Sequence, residues 1–169
     1  KLYPQIIDIA MPSLYVQGRP LLVADRIRYD YEKMQTRQII PWLTAGTYGE
    51  FDPKLIEPMV LESILNGSRG VTYFFFGDFD PMDFYYHSQA MIALKPYEKV
   101  LQAGEPIDYK GDNPDLHYTA FASADEALVL VGNYNHTAQT KVLLPLPIPA
   151  TKARLGSKTL NIQNNSVSV

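Results

Sequence analysis

Apolar positions recur along this chain in two rhythms. Up to about residue 105, short apolar runs alternate with stretches spaced for a helix. Beyond it, brief alternating runs are cut by Gly, Asn, Asp and Pro. The first rhythm predicts βα units and the second antiparallel strands. Residues 6–10 (IIDIA) predict a buried strand. Gly18-Arg19-Pro20 opens a helix, with proline suited to its first position and Leu21, Ala24, Ile27, Tyr31 and Met34 at helical spacing. Residues 38–44 (QIIPWLT) predict a second strand, followed by a Gly-rich loop. Asp52-Pro53 reads as N-cap and first helical residue, Leu55, Met59, Val60 and Ile64 as the buried stripe, and Asn66-Gly67 as the helix end. Residues 71–76 (VTYFFF) predict a third strand, apolar throughout and so expected to be buried on both faces, as in a parallel sheet.

A third helix is predicted over residues 83–94, with Phe84, His87, Ala90, Met91 and Leu94 on one side. Pro96 starts a further short helix or kinks this one, and Gly104 ends it. After a turn-rich connector, strands are predicted over 117–123, 127–134, 139–144, 153–155, 159–163 and 166–169. Asp125-Glu126 and Asn135-His136 suit hairpin turns. The expected division is a βα domain over 1–105 and a β domain over 106–169.

Composition narrows the classes. Apolar residues make up 46% and charged residues 20% of the chain, as in an ordinary globular protein. A net charge of -3 leaves no basic footprint for nucleic acid. No apolar run reaches the ~18 residues of a membrane-spanning helix, so no membrane partner is expected. With no cysteine, thiolate catalysis and Cys-ligated zinc are excluded. His87, His117 and His136 are far apart, with no HxH or HExxH spacing, so neither a metal nor a cofactor is expected. Serine-elbow, P-loop and dinucleotide signatures are absent. The first residue is Lys1, and both ends read as cut. A secreted or periplasmic setting is compatible with this composition.

Three successive βα units followed by a small β domain have the organisation that ends a (β/α)8 barrel. A whole barrel takes ~250 residues, so only its last three units fit here. A small open α/β sheet is the alternative. In either fold, function sits at the carboxyl ends of the strands. The segments IIPWLTAGTYGEFDP, EPMVLESILNGSRGVTYFFFGDFD and KPYEKVLQAGE resemble strands 7 and 8 and the last helix of a glycoside-hydrolase barrel. EALVLVGNYNHTAQTKVLLPLP resembles the β-sandwich appended to such barrels. Together the resemblance covers about residues 8–147. It implies the C-terminal part of a (β/α)8 barrel followed by a small antiparallel β-sandwich. It also implies hydrolysis of a glycosidic bond by paired carboxylates, with a carbohydrate as substrate. The rest of the barrel, or another copy, would be the partner, and the isolated chain would be inactive. Non-catalytic carbohydrate binding is the other reading of the same aromatics, and a self-contained α/β domain is a third.

Glu50 follows the second strand, where the resemblance implies the nucleophile or base; its plainer reading is a solvated loop residue. Asp78 and Asp80 follow the third strand. Asp78 is a catalytic or sugar-binding candidate, whereas Asp80 before Pro81 reads as a helix cap. Asp8 lies within an apolar run, and a buried Asp needs a partner; it is a substrate-binding candidate that could instead bond another barrel carboxylate or an arginine, or face a helix end. Tyr15, Trp42, Tyr48 and Phe76 lie in or beside strand ends, where aromatic faces can stack on sugar rings or simply fill the core. Asp25, Arg26, Arg28 and Asp30 read as surface ion pairs. Asn66, Asn135 and Asn164 begin glycosylation sequons, the first better explained as a helix end.

Overall fold

The computed structural model describes residues 6–35, 38–45, 51–74, 77, 79–134, 142–155 and 158–169. The chain is a mixed α/β protein of two compact units, Lys1–Glu98 and Lys99–Val169.

In the first unit, three short parallel strands lie side by side in chain order: β1 (Ser13–Leu14), β2 (Trp42–Leu43) and β3 (Thr72–Tyr73). Ser13 lies opposite Trp42, and Trp42 opposite Thr72. A bridge between Ala10 and Ile39 extends the β1–β2 pairing toward the N-terminus. The helices α1 (Pro20–Met34), α2 (Ile56–Leu65) and α3 (Pro81–Leu94) follow the three strands in turn, and α2 packs against both α1 and α3.

Local chemistry explains each helix. Pro20 takes the first position of α1, where its missing N–H is no loss. The buried stripe of α1 is Pro20, Val23, Ala24 and Ile27, so Leu21 lies outside the face expected for it. Arg26 and Asp30 form the expected i,i+4 pair at 3.2 Å. Burial raises the Asp30 pKa, and Arg26 partly offsets this. The Asp52 carboxylate accepts from the Lys54 N–H at 3.0 Å and caps a 3₁₀ turn, Pro53–Leu55, that leads into α2. Past α2, Gly67 has φ +120°, and a Cβ there would lie 2.9 Å from the Tyr31 ring. Glycine therefore lets the chain turn closely against α1. Asp80 caps α3 in a reciprocal box: it accepts from Met82 and Asp83 N–H, while Asp83 accepts from Asp80 N–H. The helix-cap reading of Asp80 is thus the structural one.

Two expectations need correction. Pairing of the first strand begins only at Ala10: Asp8 sits in a bend and is exposed, as are Ile6, Ile7 and Ile9, so Asp8 needs no buried partner. Over its described residues the third strand is not buried on both faces. Thr72 and Tyr73 are half-buried and Phe74 is 43% exposed, because Tyr73 faces His87 of α3 and its neighbours alternate to the other face.

A 3₁₀ turn (Lys95–Tyr97) and a short helix, α4 (Glu98–Ala103), follow α3, at the point where Pro96 implied a break. In the second unit, β4 (Glu105–Ile107), β5 (His117–Ala122) and β6 (Ala127–Gly132) form an antiparallel sheet in that order. The β5–β6 turn is closed by Ser123 and Glu126 backbone and hydroxyl bonds. β7 (Leu143–Pro145) joins β10 (Ile162–Gln163) and β11 (Ser166–Ser168) in the order β10-β11-β7, and β8 (Ala153–Leu155) pairs with β9 (Lys158–Leu160). The strand expected over 159–163 is therefore two strands. Val142, Leu144 and Val167 form a buried cluster that Tyr118, Val131, Ala153, Leu160 and Ile162 pack against. The Tyr109 hydroxyl donates to the Pro145 carbonyl at 2.6 Å. Burial, with Tyr118 and Asp112 beside it, pushes that phenol up to about 12. Among the described residues no helix is long and apolar enough to cross a membrane.

Candidate functional site

Parallel register sorts side chains onto two faces, because alternate residues point to opposite sides of a strand. Leu14 and Leu43 share the face toward the helices and are buried. Ser13, Trp42 and Thr72 share the other face, and none of them is buried. A parallel sheet normally has both faces covered; among the described residues, an aromatic cluster lies on this second face.

That cluster stands at the carboxyl ends of the strands. Tyr15 follows β1 and Phe74 follows β3, both a little over two-fifths exposed. The Phe74 ring lies 6.0 Å from Tyr15, edge to face, and 5.7 Å from Trp42. The indole Nε1 of Trp42 is buried without a hydrogen-bond partner. So is the hydroxyl of Thr44, a residue only 1% exposed just past β2. A buried unpaired polar group costs about 1–3 kcal/mol. The strand ends thus combine part-exposed ring faces with two buried polar atoms that have no partner among the described residues.

Gly18, in the turn after β1, has φ +68°, and its backbone lies directly against Phe51. Phe51 therefore stands beside the turn that follows β1.

Of the residues singled out in the sequence, Tyr15 and Trp42 share this cluster. Asp8 is exposed, ahead of the Ala10 bridge. Glu50, Tyr48, Phe76 and Asp78 lie outside the described residues. Phe74 was missed. Its signal was present in VTYFFF, where a period of two from Thr72 brings Phe74 onto the face shared with Trp42. Asn66 is buried, and its side-chain amide donates to Glu62, so it is spent as a helix end rather than offered as a sequon.

Behind β3 lies a second polar contact. The Tyr73 hydroxyl is 2.9 Å from Nδ1 of His87, with the rings edge to face. Burial, then the Asp83 carboxylate, raises the Tyr73 pKa, so the phenol stays protonated. Burial lowers the pKa of His87. A histidine with a depressed folded pKa contributes stability above its ordinary value of ~6.5, and that contribution is lost as pH falls through the folded pKa. Thermal unfolding of wild type and His87→Gln should therefore converge as pH drops from ~7.5 toward ~5. A Tm difference that stays constant across that window sinks this assignment.

In the second unit, a shallow cleft of about 340 Å³ is lined by Lys158, Thr159, Asn161, Gln163, Ser166 and Ser168, together with two leucines. It can hold a polar ligand but brings no carboxylate pair. Among the described residues no three His, Asp or Glu side chains gather as metal ligands. No known family, curated protein or solved structure matches this chain.

Proposed function

We propose that this chain is the C-terminal part of a glycoside-hydrolase-like (β/α)8 barrel followed by a β-sandwich. It would belong to a protein that hydrolyses glycosidic bonds with paired carboxylates. The observation that carries this reading is the aromatic cluster at the carboxyl ends of three parallel strands, where Phe74 touches both Tyr15 and Trp42. Parallel strands in sequential order, each followed by a helix, are the repeat from which such a barrel is built. The face that carries Ser13, Trp42 and Thr72 is the one a closed barrel would turn inward. In the second unit, one apolar cluster gathers residues from all of its sheets, which favours the sandwich.

In this reading the part-exposed ring faces of Tyr15 and Phe74 take the apolar faces of a sugar. Glu50 is the nucleophile or base, and Asp78 a second carboxylate near the sugar. Glycoside hydrolysis needs one ionised and one protonated carboxyl. The acid partner would come from the rest of the barrel, so the 169-residue chain alone should bind sugar without cleaving it.

Trp42 is the single tryptophan of the chain and stands in the site, so it is its own probe. Titrating the chain with a panel of neutral oligosaccharides should shift Trp42 emission. Phe74→Ala should weaken binding about tenfold, the loss of one stacking contact. No emission change with any sugar, and no heat by calorimetry, would overturn the carbohydrate reading. Turnover of an aryl glycoside by the chain alone, abolished by Glu50→Gln, would overturn the fragment reading and leave the carbohydrate reading intact.

A further inference from the structure

One helix of the first unit has a surface that its own unit does not explain. Besides His87, α3 holds one acidic side chain, Asp83, which is buried in the capping box, and no Lys or Arg. The side of α3 that buries Asp83, Ala90 and Leu94 belongs to the core. Its opposite stripe is Pro81, Phe84, Tyr85, Ser88, Met91, Ile92 and, just beyond the helix, Lys95, all exposed. Phe84 is 53% and Ile92 62% exposed. A surface helix normally carries charge on that stripe, and one that is apolar on both sides is normally covered.

The stripe is symmetric about Ser88. Three and four residues to either side stand large apolar groups, Phe84 and Tyr85 before it, Met91 and Ile92 after it. Lys95 lies seven residues beyond the centre, and the exposed Asp80 carboxylate eight residues before it. Two copies of α3 laid antiparallel would set Phe84 against Ile92 and Tyr85 against Met91. The same arrangement brings each Lys95 to the Asp80 end of the other copy, with no like charges opposed. A two-fold axis through Ser88 makes this the isologous contact of a cyclic dimer. The stripe faces away from the core side of α3, so it stays exposed when the sheet continues into a barrel.

We propose that the outer stripe of α3 is a homodimer interface, centred on Ser88. The occupant is a second copy because the stripe complements itself in both charge and size. Half-exposed aromatic and apolar side chains each offer roughly 100 Å², so the helix pair buries on the order of 1,000 Å² in total, the lower limit for a specific contact. A contact of that size is the reversible kind. The proposal stands apart from the carbohydrate reading, since neither Trp42 nor Tyr15 takes part.

Sedimentation of the 169-residue chain at micromolar concentrations tests it. The expected result is a monomer–dimer equilibrium whose dissociation constant rises about tenfold or more in Ile92→Glu, an exposed position whose change leaves the circular dichroism unaltered. Leu155→Glu, an equally apolar exposed position in the second unit, should leave the equilibrium in place. Because the chain has no cysteine, Ser88→Cys introduces a single thiol on the axis, and mild oxidation should cross-link it to its own copy. Exposed Glu32→Cys on α1 should not cross-link. A monomer at all concentrations overturns the proposal. So does a dimer that survives Ile92→Glu, or one that leaves Ser88→Cys uncross-linked.

Discussion

Gly18→Val is expected to cost about 2–4 kcal/mol of folding stability, from a left-handed backbone and an overlap with Phe51 together. Gly18 has φ +68°, where a β-branched residue is strained. A Cβ built there would lie 2.7 Å from Cδ2, 2.8 Å from Cγ and 3.0 Å from Cβ of Phe51. The whole root of that ring is in the way, so the ring cannot simply swing aside. Phe51 must shift. The variant should therefore lose stability and weaken any sugar response of Trp42 at temperatures where it is still folded. Gly70→Ala is the control: nothing lies within 4 Å of its added Cβ, and its change should stay within about 0.5 kcal/mol. Urea unfolding of the three proteins measures this. A Gly18→Val protein as stable as Gly70→Ala would mean that the Gly18–Phe51 contact does not hold the loop.

The readable part of this chain was the part that local chemistry decides. Pro20, Asp52 and Asp80 announce helix starts because a missing N–H or a capping carboxylate acts within one turn, and all three stand where expected. Strand positions were less legible. Residues 6–10 are as apolar as any strand, yet pairing is centred on Ser13, since which residues pair depends on partners distant in sequence. The run VTYFFF read as buried on both sides because hydropathy cannot tell a covered face from one left open for a ligand or another chain. Within the site, Tyr15 and Trp42 were legible as aromatics near strand ends. Phe74 was not, because choosing between neighbouring phenylalanines needs the register that only the paired strands supply. Burial on α2 was the largest gap. A stripe of four apolar residues was expected, but the helix is flanked by α1 and α3 and also buries Glu62 and Ser63.

Asn66→Leu is expected to cost about 2–4 kcal/mol, through that buried polar group at the end of α2. Glu62 has no exposed surface. The Asn66 amide donates to its backbone carbonyl at 2.8 Å and to its carboxylate at 3.0 Å, one of the interactions that Glu62 makes. Leucine fills the space but removes both donors, leaving a carbonyl and a carboxylate short of a bond where water has no ready access. Asn66→Asp should cost more, because it sets a second carboxylate against the first. Lowering the pH should recover part of that loss as the crowded pair takes up a proton. Glu62→Gln in the Asn66→Asp background should recover it at neutral pH by removing the like charge. The coupling energy from the double-mutant cycle separates this contact from any packing effect of either change alone. Additive losses across that cycle would mean that Glu62 is held by other groups and that Asn66 acts only as the end of the helix.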